Sequence, residues 1–323
     1  MSDTKSTLRE KRHNPPLSNK GGNITPLVSM DRALACNLDW LRYSKPWDGT
    51  QDERTNLLIA LPRHPVFFLT GEMVGNGRGY DRAMAASIGI VHWHTKRPEQ
   101  GVSFELGGED LRESRAREVL DIDLLRHVAA IGGKVSTMDG ALDLFNFGAR
   151  PMDIIKARDA GTLQTKARHI GHHESTNRIA GAWVAGETVY VGSPKSDSQI
   201  KVYDKAAEQG VKGDWIRLEC RWRDVKAHMA HKAMLEQGIP PVVRAALADT
   251  LTVPEQWWSD MLSEGVGDID PVGRKTHDTR AWLLKAALPA LVKELEAEFE
   301  EGESALLNAF SLAILPYLKD TKS

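Results

Sequence analysis

In "DWIRLECRW" (214–222) apolar and polar positions alternate strictly: Ile216, Leu218, Cys220 and Trp222 fall on one side, and Arg217, Glu219 and Arg221 on the other. A period of two is the signature of a strand with one buried face. "QIKVYDK" (199–205) repeats it, with Ile200 and Val202 opposed to Lys201 and Tyr203. In "KVSTMDGALDLF" the rule sets Asp139 and Asp143 against Met138 and Leu142, and in "GVSFELGG" it turns Glu105 away from Phe104 and Leu106. Shorter runs, "LDWLRYS", "HPVFFLTG", "IGIVHWHT" and "TVYVGS", add further strands. Between them "LRESRAREVLDIDLLRHVAAIGG" reads as a helical stretch closing on glycines, and "PMDIIKARDAG" as a shorter helix with Pro at its start and Gly at its end. From about residue 227 the periodicity becomes helical, interrupted by the Gly/Pro linker "EGVGDIDPVGRKTHDT". No internal repeat is visible. The pattern predicts an α+β fold: a mostly antiparallel sheet with helices packed on one face, followed by a helical C-terminal region. Its parts are a polar arm over 1–25, a mixed domain over 26–226 and helices over 227–323, where Trp257, Trp258 and Trp282 pack on the domain or on a second copy.

Composition narrows the class. The N-terminus is polar and lacks the apolar core of a secretory signal, and no stretch reaches the ~18 apolar residues of a membrane span. Two cysteines, Cys36 and Cys220, are too few for a disulfide framework or a thiolate zinc site. The expected home is a reducing cytoplasm. The net charge of −2 hides a gradient. The segment 293–303 carries six glutamates, whereas 150–178 holds six Lys/Arg against three acids and the arm to residue 24 five against two. Local potential steers a polyanion, so the total does not exclude nucleic acid.

If the strands of Tyr203 and Glu219 pair, one face collects Tyr203, Lys201, Arg217, Glu219 and Arg221: acids, bases and a phenol on one sheet, or an ordinary wet face. Asp139 and Asp143, four residues apart on a strand, stand roughly 13 Å from each other. They do not share an ion, which leaves Asp139 with Glu219 and Glu105 as the expected metal cluster. Carboxylates without cysteine suit Mg²⁺ or Mn²⁺. Other candidates compete. His92 and His94 of "VHWHT" form a histidine-hydrophobic-histidine strand pattern, and two histidines on one strand face can share an ion. "HIGHHES" (169–175) reads as a loop, and "GEMVGNGRGYDR" as a connection lacking the lysine of a phosphate loop, with Arg78 and Arg82 near DNA.

"TVYVGSPKSDSQIKVYDKAAEQG" followed by "DWIRLECRWR" resembles the replication initiation factors of rolling-circle plasmids and filamentous phages. The resemblance rests on Tyr190, Gly192, Ser193, Lys195 and Ser196, then Tyr203, Asp204 and Lys205, then Arg217 and Glu219. "LDWL" and "SFELGG" are similar to upstream segments of that family. "TMDGALD" matches a strand in which the family has Arg and Ile where Thr137 and Met138 stand here. The resemblance covers roughly 37–226. It implies an origin-nicking enzyme in which Tyr203 attacks a DNA phosphodiester, leaving a 5′-phosphotyrosine and a free 3′-OH primer. Lys201, Lys205 and Arg217 would favour the phenolate, a divalent ion on Asp139 and Glu219, with Glu105 and Asp143 nearby, would polarise the phosphate, and Tyr190, Gly192, Ser193, Lys195, Ser196 and Arg221 would touch DNA. Tyr190 is the rival nucleophile. The implied partners are origin DNA, as duplex with a hairpin or as a single-stranded nick site, a host helicase and a second copy of the chain. The alternatives are a histidine-metal nickase using His92 and His94, since histidine-hydrophobic-histidine is the metal motif of the other large class of rolling-circle nickases, and a non-catalytic sequence-specific DNA-binding protein.

Overall fold

The computed structural model describes residues 31–46, 69–73, 79–179 and 182–266. The predicted N-terminal arm, Arg78 and the segment with Trp282 lie outside them. The strands are β1 (Ala33–Lys45), β2 (Leu69–Met73), β3 (Arg82–Ala86), β4 (Ile90–Trp93), β5 (Val102–Leu106), β6 (Lys134–Phe145), β7 (Gln164–Thr165), β8 (Ile170–Ile179), β9 (Ala182–Val191), β10 (Ser198–Asp204), β11 (Trp215–Arg223) and β12 (Leu251–Thr252). Among the described residues the helices are α1 (Gly108–Ala116), α2 (Asp121–Ala130), α3 (Pro151–Asp159), α4 (Lys205–Gln209), α5 (Asp224–Gln237), α6 (Ile239–Thr250) and α7 (Gln256–Ser263).

Ten strands make one antiparallel sheet in the order β2-β3-β4-β5-β1-β6-β11-β10-β9-β8, while β7 and β12 pair separately. The topology repeats itself although no repeat shows in the sequence. In each half a long strand, β1 or β6, is followed by a four-strand meander whose last strand returns to pair with it, and then by helices. The two long strands pair with each other at the centre.

One face of the sheet is apolar. Leu34, Leu38, Met138, Leu142, Val202, Leu218 and Trp222 are buried there with Leu125 of α2, Ile154 of α3, Met234 of α5, Val243 of α6 and Trp258 of α7. Each such side chain contributes about 1.5–3 kcal/mol of burial. Trp257 and Trp258 therefore pack on the domain itself, and Trp257 Nε1 donates to Asp153 of α3 at 3.1 Å.

Two local expectations change. The stretch read as a single helix is two, because Glu118 takes a left-handed φ of 64° and turns the chain between α1 and α2. The break lets Asp121, at the start of α2, accept the Leu38 N–H of β1 at 2.7 Å while Arg115 holds its other side at 2.8 Å. The histidine stretch read as a loop is the start of edge strand β8, paired with β9 from Ile170 onward. Its polar, histidine-rich sequence hides the period, since an edge strand needs few apolar positions.

Candidate active site on the open face

The opposite face is polar, and its rows follow from register. Tyr203 stands beside Arg217, which stands beside Asp143; Lys201 beside Glu219, then Ala141; Gln199 beside Arg221, then Asp139 and Trp40. Antiparallel pairing puts directly opposed residues on one side, so one face gathers these groups. Two features complete the site. A register shift in β1 between Leu38 and Trp40 makes Asp39 a bulged residue, and a bulge re-aims a side chain. The N–H that the bulge leaves beside it is the one Asp121 accepts. The chain also turns at Asp204, whose carboxylate caps α4 by accepting the Ala207 N–H at 2.8 Å, and Gly210 ends that helix at a left-handed φ of 65°. Thus α4 folds onto the open face, where Ala206 packs with Trp215, Phe145 and Ala35.

The geometry centres on Tyr203. Its hydroxyl donates to Glu219 Oε1 at 2.5 Å, and Lys205 Nζ lies 3.3 Å from the same oxygen. Lys201 Nζ sits 3.7 Å above the ring and 3.5 Å from Glu219 Oε2. The ring is only 4% exposed, yet it stands outside the main apolar core; lysine side chains cover it. A tyrosine read as solvent-facing is therefore a covered one. Burial, reinforced by the Glu219 charge, pushes the phenol well above its ordinary pKa. The cations do not pre-ionise it, so for this oxygen to act as a nucleophile a base would have to take its proton.

Glu219, which already accepts the hydroxyl, is the carboxylate placed to receive that proton. Burial raises its carboxyl above the usual range, against the pull of Lys201. Asp39 lies within hydrogen-bonding reach of it and is held low: burial opposes its charge, but the Arg217 guanidinium overrides burial. Arg217 Nη1 reaches Asp39 at 2.6 Å, while its Nε and Nη2 grip Asp143 at 2.7 and 2.8 Å. Ala141, between Glu219 and Asn37, leaves room for this approach. Gly108, at the start of α1, matters too: a Cβ there would fall 2.8 Å from Asp39 Oδ1.

The expected cluster of Asp139, Glu219 and Glu105 is not brought together. Arg221 takes Asp139 with a fork of hydrogen bonds, two of them at 2.9 and 3.0 Å. Asp143 is occupied by Arg217 and by Trp215 Nε1 at 2.6 Å. Glu105 pairs with Arg42 on the far side of β1, level with Thr137 rather than Asp139. Among the described residues no three His, Cys, Asp or Glu side chains form a metal cluster. The two carboxylates that do meet beside Tyr203 are Asp39 and Glu219. Hard oxygen donors fit Mg²⁺ or Mn²⁺, and Mg²⁺ is commonly held by one or two carboxylates with water and substrate phosphate completing the shell. Asp39 escaped sequence reasoning because alternation cannot count through a bulge. Its place in "LDWL" was the available signal.

Lys205 follows Tyr203 by two residues, the spacing of one strand face, and although β10 ends at Asp204 its Nζ stays by the phenol oxygen while it pairs with Glu208 in the first turn of α4. In the loop after β9, Gly192 adopts φ 100°, and a Cβ would approach the Ser198 carbonyl to 3.2 Å. Ser193 Oγ accepts the Lys195 N–H at 3.2 Å, and the Ser196 hydroxyl lies 2.7 Å from the Ser193 carbonyl. Both serines are turned into the loop, and Lys195 is exposed at its tip. Tyr190 on β9 is opposite Lys201 and shares the open face. The histidine pair is not assembled for metal. His92 is buried on β4, Trp93 is in the core, and His94 lies past the strand with ring nitrogens 3.0 Å from the Lys96 N–H and from Arg97 Nε.

Known proteins agree with this architecture. A solved rolling circle replication initiator protein from Geobacillus stearothermophilus shares the fold at a TM-score of 0.55, with 19% identity, over 71% of this chain and 96% of its own. The putative DNA relaxase NicK of Bacillus subtilis (strain 168) is 26% identical over 340 aligned residues, covering 93% of both chains. The family model described as replication initiation factor matches residues 133–303, which span β6 through α7 and so include Tyr203, Glu219 and Arg217. By that match over more than half its length, the chain belongs to the replication initiation factor family.

Proposed function

We propose that this protein initiates rolling-circle replication by nicking one strand of origin DNA through transesterification on Tyr203. The observation that carries the reading is the 2.5 Å hydrogen bond from the Tyr203 hydroxyl to Glu219, on the open polar face of a sheet. As Tyr203 Oη attacks the scissile phosphorus, its proton passes to Glu219 and from there to the departing 3′-oxygen. The products are a 5′-phosphotyrosine and a 3′-OH primer end. Lys201 and Lys205 flank the phenol and face the charge that develops on the phosphate. Arg217 keeps Asp39 ionised and holds both Asp39 and Asp143 in place.

The metal reading moves to Asp39 and Glu219, where Mg²⁺ or Mn²⁺ would be held. Bound there, the ion supplies Lewis-acid polarisation of the phosphate and favours the ionised forms of both carboxylates. Phosphate must enter between Lys201 and Lys205, whose side chains cover the ring. Exposed Lys195 and half-exposed Arg221 extend the positive track along β10 and β11. The relatives' names, a DNA relaxase and a rolling circle initiator, support origin DNA as substrate. A bacterial cytoplasm, a host helicase to open the nicked duplex, and a second copy to resolve the finished round follow from that role. No helix among the described residues is long and apolar enough to cross a membrane.

The test is covalent trapping. Supercoiled origin DNA is incubated with the protein and Mn²⁺, denatured with SDS and examined for a protein–DNA adduct. Wild type forms one and Tyr203→Phe forms none. An undiminished adduct in Tyr203→Phe, or DNA binding with no strand break in any divalent ion, overturns the reading.

A further inference from the structure

We propose that Trp40 is a stacking platform for an unpaired base near the scissile phosphate, so that the open face takes its strand single-stranded rather than as duplex. The inference rests on the nicking reading for the place of the cut. Counted from Leu38, strict alternation would bury Trp40 and turn Leu41 outward. Instead Leu38 and Leu41 are 1% and 0% exposed in the core, and Trp40 stands opposite Asp139 on the polar face. The bulge between Leu38 and Trp40 makes the difference, because its extra residue reverses the sides of those that follow. One irregularity thus delivers both Asp39 to Glu219 and a large ring to a charged surface, where the indole is only half-buried. A large apolar group set on a polar face is an informative departure from ordinary burial.

The surroundings suit an unpaired strand. Trp40 lies two strands across and one row along from Glu219, about 12 Å between Cα positions, which a short stretch of extended single strand covers. Its own row carries Arg221, whose side chain is 40% exposed and already neutralises Asp139. The next row sets Arg223 and Arg42 on either side of Thr137. Arg223 Nη1 donates to the Ser196 carbonyl at 2.6 Å and Arg42 Nε to the Ser136 hydroxyl at 3.2 Å, so both cations are steadied on the sheet. On the other flank β5 ends at Leu106, opposite Leu41, and the residue that follows is Gly107. It carries no side chain, and a Cβ there would fall 3.5 Å from Trp40 Cζ3. An aromatic surface among cations binds single strands through base stacking and backbone charge. A base gives its face to an indole only after leaving its own stack, so a paired strand offers Trp40 little but backbone.

The test is a binding comparison in a Tyr203→Phe background, where no strand is cut. Labelled origin DNA spanning the nick site, as single strand and as linear duplex, is titrated by fluorescence anisotropy in Mn²⁺ against full-length chains carrying Trp40, Trp40→Phe or Trp40→Leu. Leucine keeps an apolar side chain beside Gly107 but has no ring face. Trp40→Leu is expected to bind the single strand about 5–150-fold more weakly and duplex as before, and Trp40→Phe to recover most of the loss. A scan of single abasic positions along the oligonucleotide then locates the stacked base. At that position base removal weakens binding by the Trp40 chain, has a smaller effect on Trp40→Phe and none on Trp40→Leu. Because Trp40→Phe is the milder change, its scan answers the question even where Trp40→Leu does not fold. Equal single-strand affinity with Trp40 and Trp40→Leu, an equal loss on both forms of DNA by folded Trp40→Leu, or an abasic scan in which no position depends on residue 40 overturns the proposal. The expected binding pattern with no covalent adduct from the chain that retains Tyr203 overturns instead the nicking role, and leaves the stacking site standing.

Discussion

Arg217→Met tests the electrostatic frame of the site. The guanidinium makes two hydrogen bonds to Asp143 and one to Asp39, and its side chain and that of Asp143 are 12% and 3% exposed. Burial costs Arg217 its hydration, but Asp143 more than repays the charge, so its pKa rises well above the ordinary value. Removing one partner of such a buried pair leaves the other an uncompensated charge, which costs about 3–5 kcal/mol. Trp215 Nε1 still donates to Asp143, so the lower end of that range is the expectation. For a domain of this size each kcal/mol shifts Tm by about 2–4 °C, giving a fall of roughly 6–12 °C by calorimetry. Because the loss lies in the stranded carboxylate, the double variant Asp143→Asn/Arg217→Met recovers most of it. Arg217→Lys keeps the charge but not the fork, and falls between wild type and Arg217→Met. A Tm within about 1 °C of wild type for Arg217→Met, or a double variant no better than the sum of the two singles, refutes the assignment of Arg217 as the charge that holds these acids.

Glu219→Gln keeps an acceptor for the Tyr203 hydroxyl but removes the base, so nicking slows by about 10²–10⁴-fold while origin binding in a mobility-shift assay holds. Burial raises the Glu219 pKa in the metal-free protein and a cation held there would lower it, so the pH at which wild-type nicking climbs is expected to fall as Mn²⁺ is raised, and this limb flattens in Glu219→Gln. By linkage the folded state binds that proton more tightly than the unfolded chain; ionised Glu219 costs stability above the raised pKa, and the cost vanishes as pH falls through it. Glu219→Gln is therefore expected to raise Tm near neutral pH, and a lowered Tm there contradicts the burial argument. Gly108→Ala forces Asp39 to move, since the new Cβ falls 2.8 Å from its Oδ1, whereas at Gly107 the nearest atoms stand at an ordinary 3.5 Å. Overpacking of this kind costs about 1–3 kcal/mol, and nicking in Gly108→Ala should need more Mn²⁺ than in Gly107→Ala. Equal Mn²⁺ dependence in the two variants would separate Asp39 from metal binding.

The repeated topology bears on why this site is one-sided. In the second half of the sheet the row Asp143–Arg217–Tyr203 holds an acid, a base and a phenol. On the other side of the centre, the row Arg42–Glu105–Ile90 has an opposed charge pair but ends in an aliphatic residue. The repeated frame thus holds the phenol proposed as nucleophile in the half that contains the specific hairpin motif.

Much of this was legible in the amino-acid order alone. Period-two alternation fixed β6, β10 and β11 and assigned Tyr203, Lys201, Arg217 and Glu219 to one face, because a strand offers only two sides. Pro at the start and Gly at the end marked α3, and the Tyr-Asp-Lys and Arg-x-Glu segments identified the family. What alternation could not reach was anything that depends on a neighbouring strand or on a break in period. The bulge that delivers Asp39, the turn into α4 that pairs Lys205 with Glu208, and the arginines that take Asp139 and Asp143 out of any metal cluster arise from strand order, register and the folding of distant segments onto the sheet. Those are set by packing of distant segments around a shared core, whose contacts no local window of sequence contains. The tertiary structure alone decided which acid meets the tyrosine, since a carboxylate's partner is settled by what lies across the sheet and not by what lies beside it in the chain.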